Sequence, residues 1–424
     1  MAVLELLAAT DDRVRSDGIA IRWPVPGAES ADLVTDIDWA ISAFGSTTVV
    51  ARDLSRIAAA AYLIDRSVRR SKNYFSRHLE IVVHLDDPGA FLGPAAQRLV
   101  DLFAWLTGDA WTLIPVANHT LSYPPAETIS SRDAVALLSG GLDSLCGAAL
   151  APADLHATSL YVGHRDQTRA VARSQDAIAE ALTQSTAGFL WKRVRLAPEH
   201  SRDNSTRTRS FLFMALAVAA AAAISATQAR VPENGFTSVN PAMVPSRGGA
   251  LSTKSTHPWT FNQTNLLLSE LGIPVTLVNP HALETKGEML AGAVMKFGDP
   301  ILSIAAETLS CSKLDGGLGY EGGNPNINCG LCIACLIRRG AFIGAGFDDP
   351  TEYLQDRVTA KGRAKLLEAR HWDLWAVQSW ATRTPTIDDL IASARWPRGT
   401  DYEAMLDVVV RGRHELLEAI DYAL

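Results

Sequence analysis

Short apolar runs alternate with longer amphipathic stretches between residues 131 and 345 of the chain. Such bounded apolar runs are typical of buried strands, and they predict strands at residues 134–138, 158–162, 189–196, 235–239 and 275–278. The intervening periodicity predicts helices at residues 168–182, 206–226, 263–271 and 286–297. This alternation indicates an α/β fold, a parallel sheet with helices on both faces. Ligands of such sheets bind at the carboxyl ends of the strands.

The two flanking segments follow other patterns. The first 130 residues predict strands at 18–23 and 79–84 and helices at 51–70 and 95–105, followed by a proline-containing linker at 121–131. The chain is helical in pattern from residue 346, and we expect its tryptophans in the core: Trp372, Trp375, Trp380 and Trp396. We therefore predict an N-terminal accessory α+β domain (1–130), a central α/β domain (131–345) and a helical C-terminal extension (346–424).

The composition is that of a soluble globular protein. Of 424 residues, 47% are hydrophobic and 20% are charged, which excludes a disordered chain. The net charge of −7 argues against a broad nucleic-acid-binding surface. The longest apolar run, 211–224, is too short and too rich in alanine for a membrane span. The first residues lack the basic start of an export signal, so we expect a cytoplasmic protein.

A glycine turn follows the first strand of the central segment. Two adjacent glycines allow a positive φ and a close approach to a ligand, and a helix N-terminus after them favours an anion. The loop is not a Walker sequence, and an ordinary turn capped by Asp143 or Ser144 is the simpler alternative. The full string favours nucleotide phosphates, with predicted contacts at Leu138, Ser139, Gly140, Gly141, Leu142, Asp143, Ser144 and Leu145.

Four of the five cysteines form a second motif: Cys311, Cys329, Cys332 and Cys335. The spacing C-x17-C-x2-C-x2-C favours a metal over disulfides, and four thiolates can close a tetrahedral Zn²⁺ site. An iron–sulfur cluster is the alternative, but the ferredoxin pattern fails because Leu336-Ile337-Arg338 follow the last cysteine. Four free buried cysteines are the second alternative. Four protein ligands leave no open position, so we expect a structural zinc.

The glycine loop Ser139-Gly140-Gly141-Leu142-Asp143-Ser144 resembles the signature of the PP-loop ATP pyrophosphatases. The resemblance implies a PP-loop (HUP-like) nucleotide-binding fold in which the loop holds the pyrophosphate part of ATP. It also implies that a substrate oxygen attacks the α-phosphate, that pyrophosphate leaves, and that a nucleophile then takes the adenylate.

The order of motifs resembles the 7-cyano-7-deazaguanine synthase (QueC) family over roughly residues 131 to 350. The matching stretches are Gly163-His164-Arg165, Arg209-Ser210-Phe211-Leu212-Phe213, Thr285-Lys286-Gly287-Glu288, Ser310-Cys311, the cysteine run through Arg338, Ala341-Phe342 and Asp349-Pro350-Thr351. The N-terminal segment and the helical tail do not belong to the minimal synthase. They resemble the QueC-like component of the Qat antiphage defence systems.

The resemblance implies adenylation of a carboxylate, with 7-carboxy-7-deazaguanine as the leading candidate. Asp143 and Ser144 would act on ATP with Mg²⁺, and Lys286, Arg165 and Arg209 would stabilise the α-phosphorus; for these three the alternative is a structural ion pair. The product would be a nitrile or an amide, and in a defence system the amine can belong to a protein partner from the same operon. Residues 1–130 show no catalytic motif, and for that reason we expect them to dock a partner.

The stretch that would recognise the deazaguanine substrate, here called the substrate end, departs from the family pattern. Where the synthase has Gly-Tyr-Pro-Asp-Cys-Arg, this chain has residues 245–258 with Arg247, Lys254 and His257, which either contact a phosphate or carboxylate or form a solvated loop. A PP-loop tRNA-modifying enzyme is an alternative, but only Cys146 is left to carry sulfur, and we expect it to be buried. A non-catalytic nucleotide-binding scaffold is another. We expect no membrane partner and no nucleic acid as direct substrate.

Overall fold

Two sheets organise the chain in its computed structural model. The structure describes residues 1–420 except for 29–30, 71–75, 120–122, 128–131, 152–158, 166–167, 198–201, 204–206, 245–253 and 315–318. The strands are β1 (Ala2–Ala8), β2 (Ile19–Trp23), β3 (Val34–Thr35), β4 (His78–Leu85), β5 (Ala110–Ala117), β6 (Ala134–Leu137), β7 (Ser159–Arg165), β8 (Leu190–Ala197), β9 (Gln228–Arg230) and β10 (Thr276–Val278).

Helices connect and cover these strands. They are α1 (Ile37–Ser42), α2 (Val49–Ser67), α3 (Pro94–Thr107), α4 (Leu142–Leu150), α5 (Arg169–Ser185), α6 (Arg209–Ala223), α7 (Gly235–Val239), α8 (Pro258–Glu270), α9 (Lys286–Phe297), α10 (Pro300–Ala306), α11 (Ile333–Gly344), α12 (Leu354–Arg357), α13 (Ala360–Ala381), α14 (Ile387–Ser393) and α15 (Tyr402–Glu418). Within the described residues, no helix has the length and apolar character needed to cross a membrane.

The N-terminal sheet has the order β2-β1-β4-β5, and all of its strand pairs are parallel. We expected segregated strands and helices in an α+β arrangement. Helices α1 and α2 lie between β2 and β4, and α3 connects β4 to β5, whereas residues 9–18 join β1 to β2 without a helix. Parallel pairing with helical crossovers makes this part α/β instead. The first strand, β1, was not predicted, because its apolar run shows no alternation.

The central sheet has the order β10-β9-β6-β7-β8-β3. Its pairs are parallel except that β3, from the N-terminal segment, pairs antiparallel with β8. The predicted parallel sheet flanked by helices is therefore confirmed. From β6 the chain first builds outward through β7 and β8 and then crosses to β9 and β10. The topological switch point lies between β6 and β9, where open α/β sheets bind their ligands.

Alanine-rich helices join the two sheets. The buried stretch 58–61 of α2 and the buried stretch 215–221 of α6 lie in one hydrophobic core. Ser55 Oγ donates to the Ala215 carbonyl oxygen at 3.3 Å, which shows how closely the two backbones approach. Small side chains permit this approach, and it explains why the long apolar run of α6 is buried in protein. The boundaries proposed for the three domains stay predictions.

The strand predicted at residues 235–239 is wrong. These residues form the short helix α7, whose N-cap is Asn234: its side chain accepts a hydrogen bond from the Thr237 amide at 2.9 Å. The sheet instead takes the shorter strand β9, three residues long, which precedes α7 in the sequence. A short apolar run does not distinguish a strand from a buried helical turn.

The tryptophans of the C-terminal region differ in their burial. Trp380 is 3% exposed and lies in a second core with the cysteine cluster, as expected. Trp396 is partly buried, and its indole N–H donates to the Leu390 carbonyl. Trp372 and Trp375 are 66% and 43% exposed on α13, so the expectation that they lie in the core is wrong.

Candidate functional site

The glycine loop lies directly at the carboxyl end of β6. Gly140 has a φ of +91°, a conformation that glycine adopts without steric cost, and Gly141 is the N-cap of α4. The Gly140 carbonyl accepts hydrogen bonds from the Ser174 hydroxyl and from the Leu309 amide, the latter at 2.9 Å. Ser144 Oγ donates to the Gly141 carbonyl at 2.9 Å. The loop is therefore held from both sides in a fixed shape.

Gln175 of α5 is a further support for the loop that we did not predict. Its side-chain amide nitrogen lies 3.3 Å from the Leu138 carbonyl oxygen, 3.4 Å from that of Ser139 and 3.2 Å from that of His164. It thus ties the loop to the end of β7. A glutamine in an amphipathic helix carries no local signal for this role, since the contact is made only by the tertiary fold.

Replacing Gly140 with alanine should destabilise the protein, and replacing Gly141 should not. A Cβ at Gly140 would lie 3.1 Å from Gln175 Cγ in a left-handed backbone conformation, whereas a Cβ at Gly141 meets nothing closer than 3.5 Å at a φ of −86°. We expect Gly140→Ala to cost about 1–3 kcal/mol of unfolding free energy. Urea denaturation of both variants without nucleotide measures this; equal stabilities would contradict the expectation.

The N-terminus of α4 is open toward an anion. Gly141 offers no side chain to cap it, and the amides of the first turn have no intrahelical acceptor. Ser139, at the tip of the loop, is exposed. Free amides, a helix dipole and a nearby hydroxyl together form the kind of site that binds a phosphate. Nucleotide contacts of residues 138–145 stay a prediction that this geometry permits.

Asp143 is the centre of a buried polar cluster at the switch point. Lys286 Nζ, at the first position of α9, donates to Asp143 Oδ2, and Asn234 Nδ2 donates to Asp143 Oδ1 at 3.1 Å. The side chains of Asp143 and Lys286 are only 13% and 7% exposed. The resemblance placed Lys286 near the ATP, and the structure brings it directly to the loop aspartate from 143 residues away in sequence.

Glu233 completes this cluster beside Asp143. Burial raises the pKa of Glu233 well above its usual value, and the charge of Asp143 raises it further. Burial also acts to raise the pKa of Asp143, but Lys286 and hydrogen bonds from Glu233 and Asn234 hold it below its usual value. The opposite directions of the two pKa shifts make Asp143 the more readily ionised member of the pair and Glu233 the one that holds a proton more tightly. Glu233 and Asn234 follow β9, and neither this strand nor these two residues of the site was predicted from the sequence.

Glu233→Gln should remove part of the pH dependence of stability. Because its folded-state pKa is raised, Glu233 stabilises the fold fully below the pKa of the unfolded chain, and this contribution is lost as the pH rises through the folded value. Glutamine stays neutral and can still donate to Asp143. The stability difference between variant and wild type, measured by urea denaturation, should therefore shift in favour of the variant as the pH rises above the ordinary range of a glutamate. A difference that stays constant with pH would contradict the raised pKa of Glu233.

The two predicted arginines lie on neighbouring elements. Arg165 is the last residue of β7, and Arg209 is the first residue of α6, where its Nε lies 3.3 Å from His164 Nδ1. Both are partly exposed at the carboxyl end of the sheet. Their contact with a phosphate stays a prediction.

The substrate-end residues are only partly described. Arg247 lies outside the described residues. Lys254 Nζ lies 3.8 Å from the centre of the Trp105 ring, and His257 is 1% exposed and caps α8. Burial, aided by the charge of Lys254, lowers the pKa of His257 to about 3, so the ring is neutral. The Lys254 side chain therefore packs on α3 and that of His257 caps α8, which is not the arrangement of a solvated loop.

The four predicted cysteines converge. Their sulfur atoms all lie within 4.8 Å of one another, with Cys311 Sγ 3.8 Å from Cys332 Sγ and Cys329 Sγ 3.9 Å from Cys335 Sγ. These distances are too long for disulfides and suit four ligands around one ion. Backbone amides of Lys313 and Cys329 point at Cys311 Sγ. The cluster can bind a metal such as zinc.

Arg338 connects the cysteine cluster to the glycine loop. It is 0% exposed on α11 and donates to the hydroxyls of Thr308 and Thr351, at 2.6 Å and 2.8 Å. Thr308 precedes Leu309, whose amide holds the Gly140 carbonyl. A metal bound by the cysteines would therefore be linked, through α11 and Arg338, to the segment that supports the loop.

Two curated proteins match part of the chain. Both are 7-cyano-7-deazaguanine synthases. The one from Agrobacterium fabrum is 38% identical over 94 residues, and the one from Rhizobium etli is 37% identical over 95 residues. Each match covers 22% of this chain and 34% of the relative, so the chain spans about a third of the length of these relatives. No protein-family model and no solved structure matches the chain. The similarity supports a QueC-like family for the matched stretch.

Proposed function

We propose that this protein catalyses ATP-dependent adenylation of a carboxylate, with 7-carboxy-7-deazaguanine as the leading candidate. The observation that carries the proposal is the cluster at the switch point, where Asp143 of the glycine loop meets Lys286 beside an uncapped helix N-terminus. The partial similarity to 7-cyano-7-deazaguanine synthases supports the choice of substrate.

In the proposed reaction an oxygen of the carboxylate attacks the α-phosphorus of ATP. The bond from the α-phosphorus to the oxygen that bridges to the β-phosphate breaks, and pyrophosphate leaves with the electron pair. Amides of residues 140–144 and the hydroxyls of Ser139 and Ser144 would bind the phosphates. Lys286, with Arg165 and Arg209, would stabilise the charge on the pentavalent phosphorus. Mg²⁺, when bound, screens the charge of the triphosphate.

The adenylated carboxylate is then open to an amine. Adenylation supplies a good leaving group, so attack by an amine forms an amide and releases AMP; the synthase family continues to a nitrile. Zn²⁺ held by Cys311, Cys329, Cys332 and Cys335 would act structurally, since four thiolates leave no open position.

The test of this reaction is product analysis with labelled ATP. Wild type should release AMP and pyrophosphate only when 7-carboxy-7-deazaguanine is present, and Asp143→Ala should release neither. ADP as the product would contradict adenylation. ATP binding with no turnover would favour a nucleotide-binding scaffold.

We further propose that the protein acts in antiphage defence and that the amine belongs to a partner protein from the same operon. The altered stretch 245–258 and the N-terminal segment outside the minimal synthase motivate this proposal. Mass spectrometry of operon partners after co-expression should show a mass gain equal to the acyl group. Unchanged partner masses beside an active enzyme would contradict the conjugation.

A sulfur-transferring tRNA enzyme is less well supported. Such an enzyme needs a reactive thiolate, and Cys146 is the cysteine left over by the cluster. It is 0% exposed, and burial raises the pKa of its thiol to about 12. A neutral, buried thiol does not carry sulfur.

A further inference from the structure

The C-terminal helix α15 lies across both segments that supply the partners of Asp143. Gly412 packs on Phe236 of α7 so closely that a Cβ there would lie 2.5 Å from the Phe236 ring, and α7 begins directly after Asn234. Gly235 lies against Val408 of α15. The same helix contacts α9, whose first residue is Lys286.

The Glu415 side chain of α15 forms hydrogen bonds with the residues at the start of α9. Its Oε1 accepts from the Thr285 hydroxyl, and its Oε2 accepts from the Gly287 amide at 3.1 Å. These two donors stand on either side of Lys286. A carboxylate at a helix N-terminus also complements the helix dipole. Farther back on α15, Arg411 pairs with Glu288 and donates to the Leu283 carbonyl at 2.9 Å.

Three glycines leave room for this contact. A Cβ at Gly287 would lie 2.5 Å from Glu415 Oε1, and a Cβ at Gly340 of α11 would lie 2.1 Å from the Glu415 carbonyl oxygen. A Cβ at Gly344 would lie 2.8 Å from Glu415 Cγ. A side chain at Gly340 would meet the backbone of α15 and push the helix away, whereas side chains at Gly287 and Gly344 would displace the Glu415 side chain itself. The position of Glu415 is therefore specified from α9 and α11.

We propose that Glu415 is a positioning residue: its carboxylate fixes the first turn of α9 and thereby holds the Lys286 ammonium group on Asp143. Glu415 acts through Lys286 and touches neither the loop nor a predicted phosphate contact. The effect of Glu415 on catalysis rests on the proposed adenylation, whereas its effect on Lys286 does not.

The electrostatic setting makes this contact sensitive to pH. Burial raises the pKa of Glu415 to about 7, against the hydrogen bonds from Thr285 and Gly287, which lower it. The charged groups facing it from α9 are Glu288, which raises the pKa, and Lys286, which lowers it; α11 presents backbone and glycines there. As the pH falls through this value, the carboxyl gains a proton and loses an acceptor site.

Competitive lysine acylation with acetic anhydride tests the proposal on the full chain without any substrate. Mass spectrometry gives the labelling rate of Lys286 relative to Lys296, on the same helix. In Asp143→Ala and in Glu415→Ala the relative rate should rise about fivefold or more, because local opening governs the reactivity of a shielded group. Glu415→Gln, which keeps one acceptor oxygen, should show a smaller rise, and Glu403→Gln, on an exposed position of α15, should show none.

A relative rate for Lys286 that stays unchanged in Glu415→Ala and Glu415→Gln would overturn the proposal. So would an equal rise at Lys286 and Lys296, which would mean that α9 loosens as a whole, or no rise in Asp143→Ala. Enzyme activity is measured separately. Glu415→Gln should lower the rate of AMP formation with little change in KM for ATP, and the rate should depend less on pH near pH 7 than it does in wild type. If wild type forms no AMP, the proposed function is contradicted, but the labelling result for Lys286 is not affected.

Discussion

Lys286→Ala is expected to lower the rate of AMP formation by about 10²-fold or more at saturating ATP, the usual effect of removing a charge that stabilises a transition state. The ammonium group is the cation that the structure places directly on the loop, against Asp143. Its loss removes a positive charge from the place where the α-phosphorus would gain negative charge. Single-turnover measurement with labelled ATP and the carboxylate gives the rate.

Stability needs its own control in that experiment. Removing one member of a buried ion pair leaves the other uncompensated and costs about 3–5 kcal/mol of unfolding free energy. The double variant Asp143→Asn with Lys286→Met removes both charges and should regain most of that stability without regaining activity. Lys296→Ala, on the far end of α9, should keep wild-type activity. AMP formation by folded Lys286→Ala within about threefold of wild type would contradict the role of Lys286 in charge stabilisation.

Cys332→Ser is expected to abolish stoichiometric metal binding and to lower the free energy of unfolding by several kcal/mol. Cys332 is 0% exposed and its sulfur lies 3.8 Å from that of Cys311, so no solvent molecule can replace it without distortion. In closed thiolate sites the free energy of metal binding contributes directly to folding. Elemental analysis of purified protein and thermal unfolding with and without a chelator measure both effects.

Cys146→Ser is the matched control for that variant. It also changes a fully buried cysteine, but one outside the cluster. It should keep the metal content of wild type and lose only the stability due to local packing. If chelation leaves the unfolding temperature of wild type unchanged, the cluster is not a structural metal site.

The glycine loop and the cysteine run were predictable because each is a local signal. The loop places its glycines, Asp143 and Ser144 within six consecutive residues, and the cysteine spacing favours metal binding over disulfides. The alternation of strands and helices likewise predicted the parallel sheet. In each case the signal is a pattern that can be read directly along the chain, without knowledge of the tertiary contacts.

The remaining parts of the site arise only in the fold. Gln175, Glu233 and Asn234 reach the loop because β9 crosses to the other side of β6 and because α5 packs over the turn. The three-residue strand β9 is too short to show periodicity, and the stronger apolar run after it forms α7. The exposure of Trp372 and Trp375 is likewise decided by which face of α13 the core covers.

Adenylation of the carboxylate is tested most directly by tracing an isotopically labelled oxygen atom. The carboxylate of 7-carboxy-7-deazaguanine is labelled with ¹⁸O and incubated with the enzyme, ATP, Mg²⁺ and an amine. If the carboxylate is adenylated, one of its oxygens becomes the bridge to phosphorus and leaves with AMP, so the AMP carries one ¹⁸O in place of one ¹⁶O. AMP that carries no label, or ADP in its place, would contradict adenylation of this carboxylate.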